Sequence, residues 1–452
     1  MSPAEERRTG AEEHPKMLAR FGGVYGDVGI GAYVAEIGGR LVKSSELPNL
    51  EFTFTVLNSP DANAFALPGG YVYVTRGLLA LVNSEAELAG VLAHEIGHVT
   101  ARHVAQRYNR TVATNLGTAI LGTVVQSPDV DQLARIGGEL LLKGFSREQE
   151  FQADMLGVRY MSRVGYEPEA SAAFLRTLAG HSALERELAG REGRGVVEDF
   201  FATHPRTEDR VRKAIAAAQA RGAQAKAPLR RDRFLDVIEG LLYGDDPEQG
   251  LVRGRTFVHP ELGFAFKAPP GYRLFNTQRA VFAKGPEDAL IRFDAAKKRT
   301  AADMTSYLAE TWERVFALSD VERIQINGME AATGRASVRW QGRPADLRLV
   351  AIRFSADVIY RFMMVTPLEI EALVRQELQR TTYGFRRLGQ SEAAAYRPFR
   401  LGVVTVEPGD TVESLGRRMP FEDFQVARFR ALNGLPQGAQ LSPGQRVKIV
   451  IE

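Results

Sequence analysis

The sequence predicts a multidomain α+β protein with an α-rich first domain, an α+β middle domain and a compact β-α-α-β unit at the C-terminal end. Three observations predict this class. A length of 452 residues accommodates about three domains of about 150 residues. Helix formers dominate the first half, whereas short β-type runs dominate Phe257–Leu388. Two linker-like stretches separate these regions, so the predicted domains are 1–228, 233–390 and 398–452.

The composition is that of a chain with buried cores, since 44% of residues are hydrophobic and 25% are charged. The formal net charge is +3, and no cluster of basic residues indicates a nucleic-acid partner. The absence of cysteine excludes disulfides and thiol catalysis. Any bound metal must therefore be held by histidines and carboxylates.

No run of about 18 apolar residues predicts a transmembrane helix. The Gly-rich apolar stretch Leu116–Val125 is too short to span a bilayer. It predicts an active-site cover, a hairpin in peripheral contact with a membrane, or plain core packing. The opening residues Met1–Arg8 lack the apolar core of an export signal. The sequence is therefore that of a cytoplasmic protein, or its numbering begins after a removed signal.

The α-rich region contains a helix that carries the pattern H-E-x-x-H. Ser84 and Glu87 form a capping box at its start. His94 and His98 are four residues apart, so they lie on one helix face where both imidazoles can bind one metal ion. Glu95 is offset by one residue and can reach a water molecule on that ion. The alternative is a pair of histidines packed in a core.

A second capped helix supplies two carboxylates. Ser146 and Gln149 form its capping box, and Glu150 and Asp154 then lie one turn apart on the same face. This spacing suits a metal ligand, Glu150, and a carboxylate that accepts the second N–H of a liganding histidine, Asp154. A solvated acidic helix face is the alternative.

The strings HEIGHVTARH and FSREQEFQAD, together with Asn63–Leu79 and Thr203–Arg210, resemble the zinc metalloendopeptidase family that includes the CAAX prenyl proteases and the periplasmic protease BepA. The resemblance covers about residues 15–220. It implies an α-rich gluzincin domain with one Zn²⁺ per chain, held by the two histidines and Glu150. It also implies Glu95 as the general base and Asp154 as the carboxylate behind the ligands.

The same resemblance places His204 and Arg210 near the site. Arg210 is always charged and can stabilise the oxyanion of a tetrahedral intermediate. His204 can donate to the same oxyanion or act as a fourth zinc ligand in a latent state. An ordinary His-Pro corner with an exposed arginine is the alternative. His103 lies five residues beyond His98 and is expected to point away from the metal and to be structural.

The segment Tyr71–Thr75 alternates like a strand and follows Gly70. It predicts a small sheet with an exposed edge strand, at which Gly70, Tyr71, Val72 and Tyr73 bind an extended polypeptide by β-augmentation. An ordinary internal strand is the alternative.

The C-terminal unit resembles a LysM domain in its Pro408–Thr411 turn, its Asn433-Gly434 turn and its Pro443–Gln445 turn. The resemblance implies binding to peptidoglycan or another glycan that contains N-acetylglucosamine, although such units also serve as packing modules. In the middle domain, Gly263–Tyr272 weakly resembles the opening of PsbP-like domains, and no residues there have catalytic spacing.

The sequence therefore predicts a zinc-dependent endopeptidase, and the resemblance implies misfolded or unassembled cell-envelope proteins as its substrates. By resemblance, its location is the periplasm or cell envelope. One alternative is a non-hydrolytic or latent envelope scaffold that binds peptidoglycan. The other is a cytosolic zinc peptidase.

Overall fold

The computed structural model describes residues 1–107, 144–188, 204, 212–213, 215–216, 228–297, 300, 302–312 and 316–452. These residues form two compact units. The first takes in the described residues within Met1–Glu187, Val197–Tyr243 and Phe399–Glu452. The second takes in those within Gly244–Pro398, together with Leu188.

The helices of the described residues are α1 (Pro3–Arg20), α2 (Val28–Lys43), α3 (Arg76–Leu81), α4 (Glu85–Thr100), α5 (Arg147–Val164), α6 (Glu169–Leu188), α7 (Arg231–Ile238), α8 (Met304–Ser306), α9 (Leu368–Tyr383), α10 (Gln390–Ala395), α11 (Val412–Gly416) and α12 (Gln425–Asn433). Short 3₁₀ turns lie at Pro247–Gln249 and Pro286–Asp288, and a π-type turn at Tyr307–Thr311.

The strands of the described residues are β1 (Thr53–Leu57), β2 (Ala64–Leu67), β3 (Tyr71–Thr75), β4 (Leu242–Tyr243), β5 (Leu251–Arg253), β6 (Thr256–His259), β7 (Phe264–Lys267), β8 (Arg273–Asn276), β9 (Val281–Lys284), β10 (Leu290–Lys297), β11 (Ser319–Ile326), β12 (Met329–Trp340), β13 (Arg343–Arg353), β14 (Val358–Pro367), β15 (Arg386–Arg387), β16 (Phe399–Thr405) and β17 (Arg446–Ile451).

In the first unit, a three-stranded sheet has the order β1-β3-β2, with β1 parallel and β2 antiparallel to β3. Side chains alternate across β3, because Val72 and Val74 face the main core whereas Tyr73 packs beneath α1 with Phe65. The prediction that Tyr71–Thr75 is an exposed edge strand is therefore wrong. The apolar and aromatic residues that alternate along β3 are covered on both faces of the sheet, as in an internal strand.

The main core of the first unit combines elements that are far apart in sequence. It joins α2, α4 and α5 to α7 and to the C-terminal strands and helices. Strand β16 pairs with β17 and also with β4, so residues 399–452 complete a second three-stranded sheet. The β-α-α-β order predicted for the C-terminal unit is present, and this unit packs directly on the α-rich region.

The second unit contains a seven-stranded sheet of order β11-β12-β13-β14-β10-β9-β8 and a four-stranded sheet of order β15-β7-β6-β5. Side chains of β13 alternate between two cores, with Val350 and Ile352 on one face and Leu347 and Leu349 on the other. Trp312 is buried in the second of these cores.

None of the helices in the described part of the chain combines the length and apolar character needed to cross a bilayer. The stretch Leu116–Val125 lies outside the described residues.

Candidate metal centre

Helix α4 presents His94, Glu95 and His98, and all three side chains are buried. The hydroxyl of Ser84 accepts the backbone N–H of Glu87, as the capping box predicts. The reciprocal bond differs from the prediction, because the Glu87 carboxylate accepts the N–H of Asn83 rather than that of Ser84. The helix is therefore fixed at its first turn, ten residues before the first histidine.

Helix α5 brings Glu150 to the same place. Its predicted capping box, formed by Ser146 and Gln149, is complete. Two glycines allow α4 and α5 to cross closely. A Cβ at Gly97 would lie 2.9 Å from the carbonyl oxygen of Ala153, and one at Gly157 would lie 3.2 Å from the backbone nitrogen of His94. Larger residues at these positions would hold the two helices apart.

Four buried residues, His94, His98, Glu150 and His204, each offer one potential ligand atom. These atoms all lie within 4.8 Å of one another. His98 Nε2 lies 2.9 Å from His94 Nε2 and 3.3 Å from Glu150 Oε1. His204 Nδ1 lies 2.9 Å from Glu150 Oε1 and 3.4 Å from His94 Nε2.

This donor set fits a tetrahedral metal ion. Bonds of about 2.0–2.1 Å from zinc to nitrogen and oxygen place neighbouring ligand atoms of a tetrahedral site about 3.3 Å apart. The measured separations scatter around that value. Three imidazoles and one carboxylate, with no thiolate, are also ligands typical of zinc and of other borderline divalent metals.

The carboxylate predicted to lie behind the ligands is in contact with one of them. Asp154 Oδ1 lies 2.9 Å from His94 Nδ1, and both side chains are buried. A carboxylate acceptor at this distance takes the Nδ1–H of the imidazole and leaves its Nε2 lone pair facing the other ligands. The contact between Asp154 of α5 and His94 of α4 is the one expected from the spacing of Glu150 and Asp154.

The electrostatics of the cluster favour the metal-binding forms of two ligand candidates, His98 and Glu150. Burial lowers the pKa of His98 to about 3, so this imidazole is neutral at pH 7. Burial alone would raise the pKa of Glu150, but His204, followed by His98 and His94, holds that pKa well below its ordinary value. Neutral imidazoles and an ionised carboxylate are the ligand forms that a divalent cation requires.

Glu95 lies on the side of the cluster nearest to His204. Its Oε1 is 3.7 Å from His204 Nε2, while Nδ1 of the same imidazole lies among the ligand atoms. His204 therefore has one ring nitrogen near each of the two glutamates, Glu95 and Glu150. Arg210 lies outside the described residues.

The prediction for His103 is wrong. Its Nδ1 lies 3.0 Å from His98 Nδ1, so the side chain contacts a proposed ligand instead of pointing away. Helix α4 ends at Thr100, and Arg102 adopts a φ of 57°, which turns the chain back towards His98. The Arg102 side chain donates to Glu6 of α1 at 2.7 Å, a contact between residues 96 positions apart.

Two further residues near the site, Phe145 and Arg107, have no role predicted from the sequence. The ring of Phe145 stacks on His98, with 3.9 Å between ring centroids and 24° between planes. The guanidinium of Arg107 lies over the same phenyl ring, 4.2 Å from its centroid. Burial lowers the pKa of Arg107 to about 10, against the opposing effect of Glu95 and Glu150. These two residues cover one face of His98 and place a cation beside the buried carboxylates.

The residues predicted to bind the polypeptide substrate lie on the central strand and in the turn before it. Val72 and Tyr73 are buried within the sheet, and Gly70 has a φ of 90° close to the backbone of Glu51. Among the described residues, β2 is an edge strand of this sheet and contacts α4, the helix that carries His94 and His98. The alternating residues of β3 did not reveal this order, because the position of a strand in a sheet depends on its partners.

A comparison with protein families agrees with this geometry. The profile of peptidase family M48 matches residues 31–218, which include all four ligand candidates. Residues 31–218 are a peptidase family M48 domain. The profile of the LysM domain matches residues 404–450, so the unit that completes the core beside this M48 domain is a LysM domain.

Curated relatives share the M48 domain. The mitochondrial metalloendopeptidase OMA1 of Schizosaccharomyces pombe is 34% identical over 40% of this chain and 51% of its own length. The β-barrel assembly-enhancing protease of Yersinia pestis is 33% identical over 33% of each chain. That of Escherichia coli K12 is 29% identical over 40% of this chain and 37% of its own length. The chain thus spans about a third to a half of the length of these relatives.

Among solved structures, cyanobacterial PsbP from Synechocystis aligns with 32% of this chain and 98% of that chain, at 11% identity and a TM-score of 0.25. A structural similarity with so low a TM-score supports no conclusion about the second unit. The PsbP-like character of Gly263–Tyr272 therefore stays a prediction.

Proposed function

We propose that this protein is a zinc-dependent endopeptidase and that one Zn²⁺ per chain is held by His94, His98 and Glu150. The observation that carries the proposal is the convergence of these buried ligand atoms beside the carboxylate of Glu95. Cytochrome-like or ferredoxin-like metal roles would need other ligands, whereas a His/His/Glu set with a neighbouring glutamate is the set used for peptide hydrolysis. When bound, zinc supplies Lewis-acid polarisation of the scissile carbonyl and lowers the pKa of its water.

Glu95 is the proposed general base. It is fully buried on the same helix as two ligands and is not one of them, so its carboxylate is placed to take a proton from the attacking water. It then returns that proton to the amine that leaves when the peptide bond breaks. Asp154 has a positioning role, because it orients the imidazole of His94.

His204 is proposed to close the fourth position in a latent state. Its Nδ1 lies 2.9 Å from Glu150 Oε1, within the ligand cluster. An arriving substrate carbonyl would need this position, so the imidazole must withdraw before hydrolysis. After withdrawal, His204 and Arg210 are proposed to stabilise the oxyanion of the tetrahedral intermediate.

An extended polypeptide is the proposed substrate, bound along the free edge of β2. The pair Asn63 and Thr75 is hydrogen-bonded through the backbone, because the N–H of Thr75 donates to the carbonyl of Asn63. Hydrogen-bonded pairs alternate along antiparallel strands. The backbone groups of Ala64 and Ala66 therefore point away from β3, towards the edge at which a substrate strand would pair.

Misfolded or unassembled envelope proteins are the proposed substrate class, in keeping with relatives that are named for β-barrel assembly. The LysM domain is proposed to bind peptidoglycan or another glycan that contains N-acetylglucosamine, which places the enzyme in the periplasm or cell envelope. This domain also favours the second candidate, a latent or non-hydrolytic scaffold on the wall.

Cleavage of casein by the purified protein tests the proposal. We expect cleavage that a chelator abolishes and zinc restores. Glu95→Gln should retain zinc and lose cleavage, whereas His94→Ala should lose both. Exposed Glu261→Gln is the matched control and should behave as wild type. Retention on insoluble peptidoglycan without zinc-dependent cleavage would favour the scaffold. Cell fractionation separates both from a cytosolic peptidase.

A further inference from the structure

Three side chains, His98, His103 and Gln152, contact one another in sequence. They lead from the cluster of ligand candidates to the surface of the first unit. His98 Nε2 faces Glu150 and His94, while its Nδ1 lies 3.0 Å from Nδ1 of His103. His103 Nε2 in turn lies 3.2 Å from Oε1 of Gln152. The two imidazoles are buried, and Gln152 lies at the exposed end of the chain.

The direction of these hydrogen bonds follows from the last member. An amide oxygen can only accept, so His103 must carry a hydrogen on Nε2. A neutral imidazole has one donor and one acceptor nitrogen, so His103 Nδ1 accepts. His98 must then donate from its own Nδ1. The lone pair of His98 is left on Nε2, the atom that faces the other ligands.

We propose that His103 and Gln152 are positioning residues that fix the tautomer and ring orientation of His98 for metal binding. This inference rests on the proposed zinc site. It differs from the pairing of His94 with Asp154, because the two histidines of one motif are oriented by different chemistry. The acceptor for His94 is a carboxyl oxygen of Asp154, whereas the acceptor for His98 is an imidazole nitrogen of His103, whose own tautomer is set by Gln152.

His103 is held beside His98 by the chain reversal at Arg102 and by helix α5, and it is not part of helix α4. The chain reverses at Arg102, whose φ is 57°, and Gln152 is delivered by α5. Gln152 lies two residues after Glu150 and two before Asp154, so the same helix supplies one ligand, the acceptor for His94 and the acceptor for His103.

The test compares two substitutions of Gln152 in the full chain. Gln152→Glu keeps an oxygen acceptor, whereas Gln152→Met has a similar size and no comparable acceptor. We expect Gln152→Met and His103→Phe to weaken zinc binding by about 10–100-fold, measured by competition with a chromophoric chelator. Gln152→Glu should remain close to wild type. Exposed Gln437→Met is the matched control and should have no effect.

A second readout does not depend on metal. Nitrogen chemical shifts of ¹⁵N-histidine-labelled apoprotein report which ring nitrogen carries the hydrogen. We expect the Nδ1–H tautomer for His98 in wild type and a gain of the Nε2–H tautomer in Gln152→Met. Equal zinc affinities of the Met and Glu variants, or an unchanged tautomer, would overturn the inference. If wild type binds no zinc, the proposed function fails. The tautomers still decide whether His103 and Gln152 orient His98 through these hydrogen bonds.

Discussion

Gly97 of α4 lies so close to Ala153 of α5 that an added Cβ would come within 2.9 Å of the carbonyl oxygen of Ala153. This contact sets the separation of the two helices that supply the ligand candidates. Because Glu150 projects from α5 and His98 from α4, the 3.3 Å between their ligand atoms depends on that separation. The glycine inside H-E-x-x-H thus has a packing role that is independent of its place in the motif.

Replacing Gly97 with Ala should lower zinc affinity and stability together. The new methyl group meets a backbone atom and cannot be accommodated by a rotamer change, so overpacking should cost about 1–3 kcal/mol of unfolding free energy. Chelator competition and denaturant unfolding measure the two effects. Gly180→Ala in α6 is the control, since among the described residues no atom outside its own stretch of helix backbone lies within 4 Å of the added Cβ. It should gain up to about 1 kcal/mol. Normal zinc affinity in Gly97→Ala would contradict the packing role.

Replacing Asp154 with Asn should weaken zinc binding or activity by about 10–100-fold. The amide is nearly the same size, but it lacks the negative charge that supports the imidazole of His94 at 2.9 Å. Titration of apoprotein with zinc, followed by casein cleavage at saturating zinc, separates affinity from catalysis. Exposed Asp423→Asn controls for the change of charge. An Asp154→Asn protein with wild-type affinity and wild-type cleavage would refute the positioning role.

Acid should destabilise the metal-free protein through His98. Its folded pKa is about 3 because of burial, whereas the ordinary value is 6.5. The unfolded chain therefore binds more protons than the folded chain below pH 6.5, and the free energy of unfolding falls as pH decreases from about 6.5 towards 3. The slope from one such group approaches about 1.4 kcal/mol per pH unit.

This pH effect can be assigned by comparing wild type with His98→Gln in a chelator. Denaturant unfolding between pH 6.5 and pH 5 should show a shallower loss of stability in the variant, which lacks the titrating imidazole. Exposed Gln437→Met should have the wild-type slope. Identical slopes in wild type and His98→Gln would show that another group is responsible.

Local patterns predicted the helices that carry the site. The spacing of His94, Glu95 and His98, and the capped helix that presents Glu150, depend on residues within a few positions of one another. Caps and helical periodicity are properties of short segments, so they can be read without knowledge of the fold. The pairing of Asp154 with His94 followed from the same spacing.

Relationships between distant residues were not predictable in this way. Tyr73 was placed on an edge strand, yet β1 and β2 both pair with β3. His103 was placed away from the metal cluster, because nothing near it in sequence indicates that Arg102 binds Glu6 and reverses the chain. The stacking of Phe145 on His98 likewise depends on tertiary packing. Strand order and chain reversals are decided by partners that a local pattern does not contain.

Lys448 connects the LysM domain to the start of α4, the helix that carries the ligand candidates His94 and His98. Its side chain is fully buried, and Nζ donates to the carbonyl oxygens of Ala80 and Val82 at 2.5 and 2.6 Å. These carbonyls belong to the end of α3, immediately before α4 begins. Burial lowers the pKa of Lys448, while the neighbouring Glu87 carboxylate opposes that shift. Lys448 therefore joins two domains that the sequence analysis predicts as separate units.

Replacing Lys448 with Met should destabilise the whole first unit. Two buried carbonyls lose their ammonium donor, at about 1–3 kcal/mol for each unsatisfied group, and Glu87 loses a compensating charge. Denaturant unfolding measures this loss, and zinc binding should weaken because α4 is no longer fixed at its first turn. Exposed Lys43→Met is the matched control and should change stability by less than about 0.5 kcal/mol.

A double variant tests whether the charge matters in addition to the hydrogen bonds. Glu87→Gln keeps an oxygen that can accept the N–H of Asn83 but removes the negative charge. Combined with Lys448→Met, it should cost less than the sum of the two single substitutions, because no uncompensated carboxylate remains. Strict additivity would mean that the two buried groups do not interact. If Lys448→Met leaves both stability and zinc binding unchanged, the LysM domain rests on the M48 domain without supporting its active-site helix.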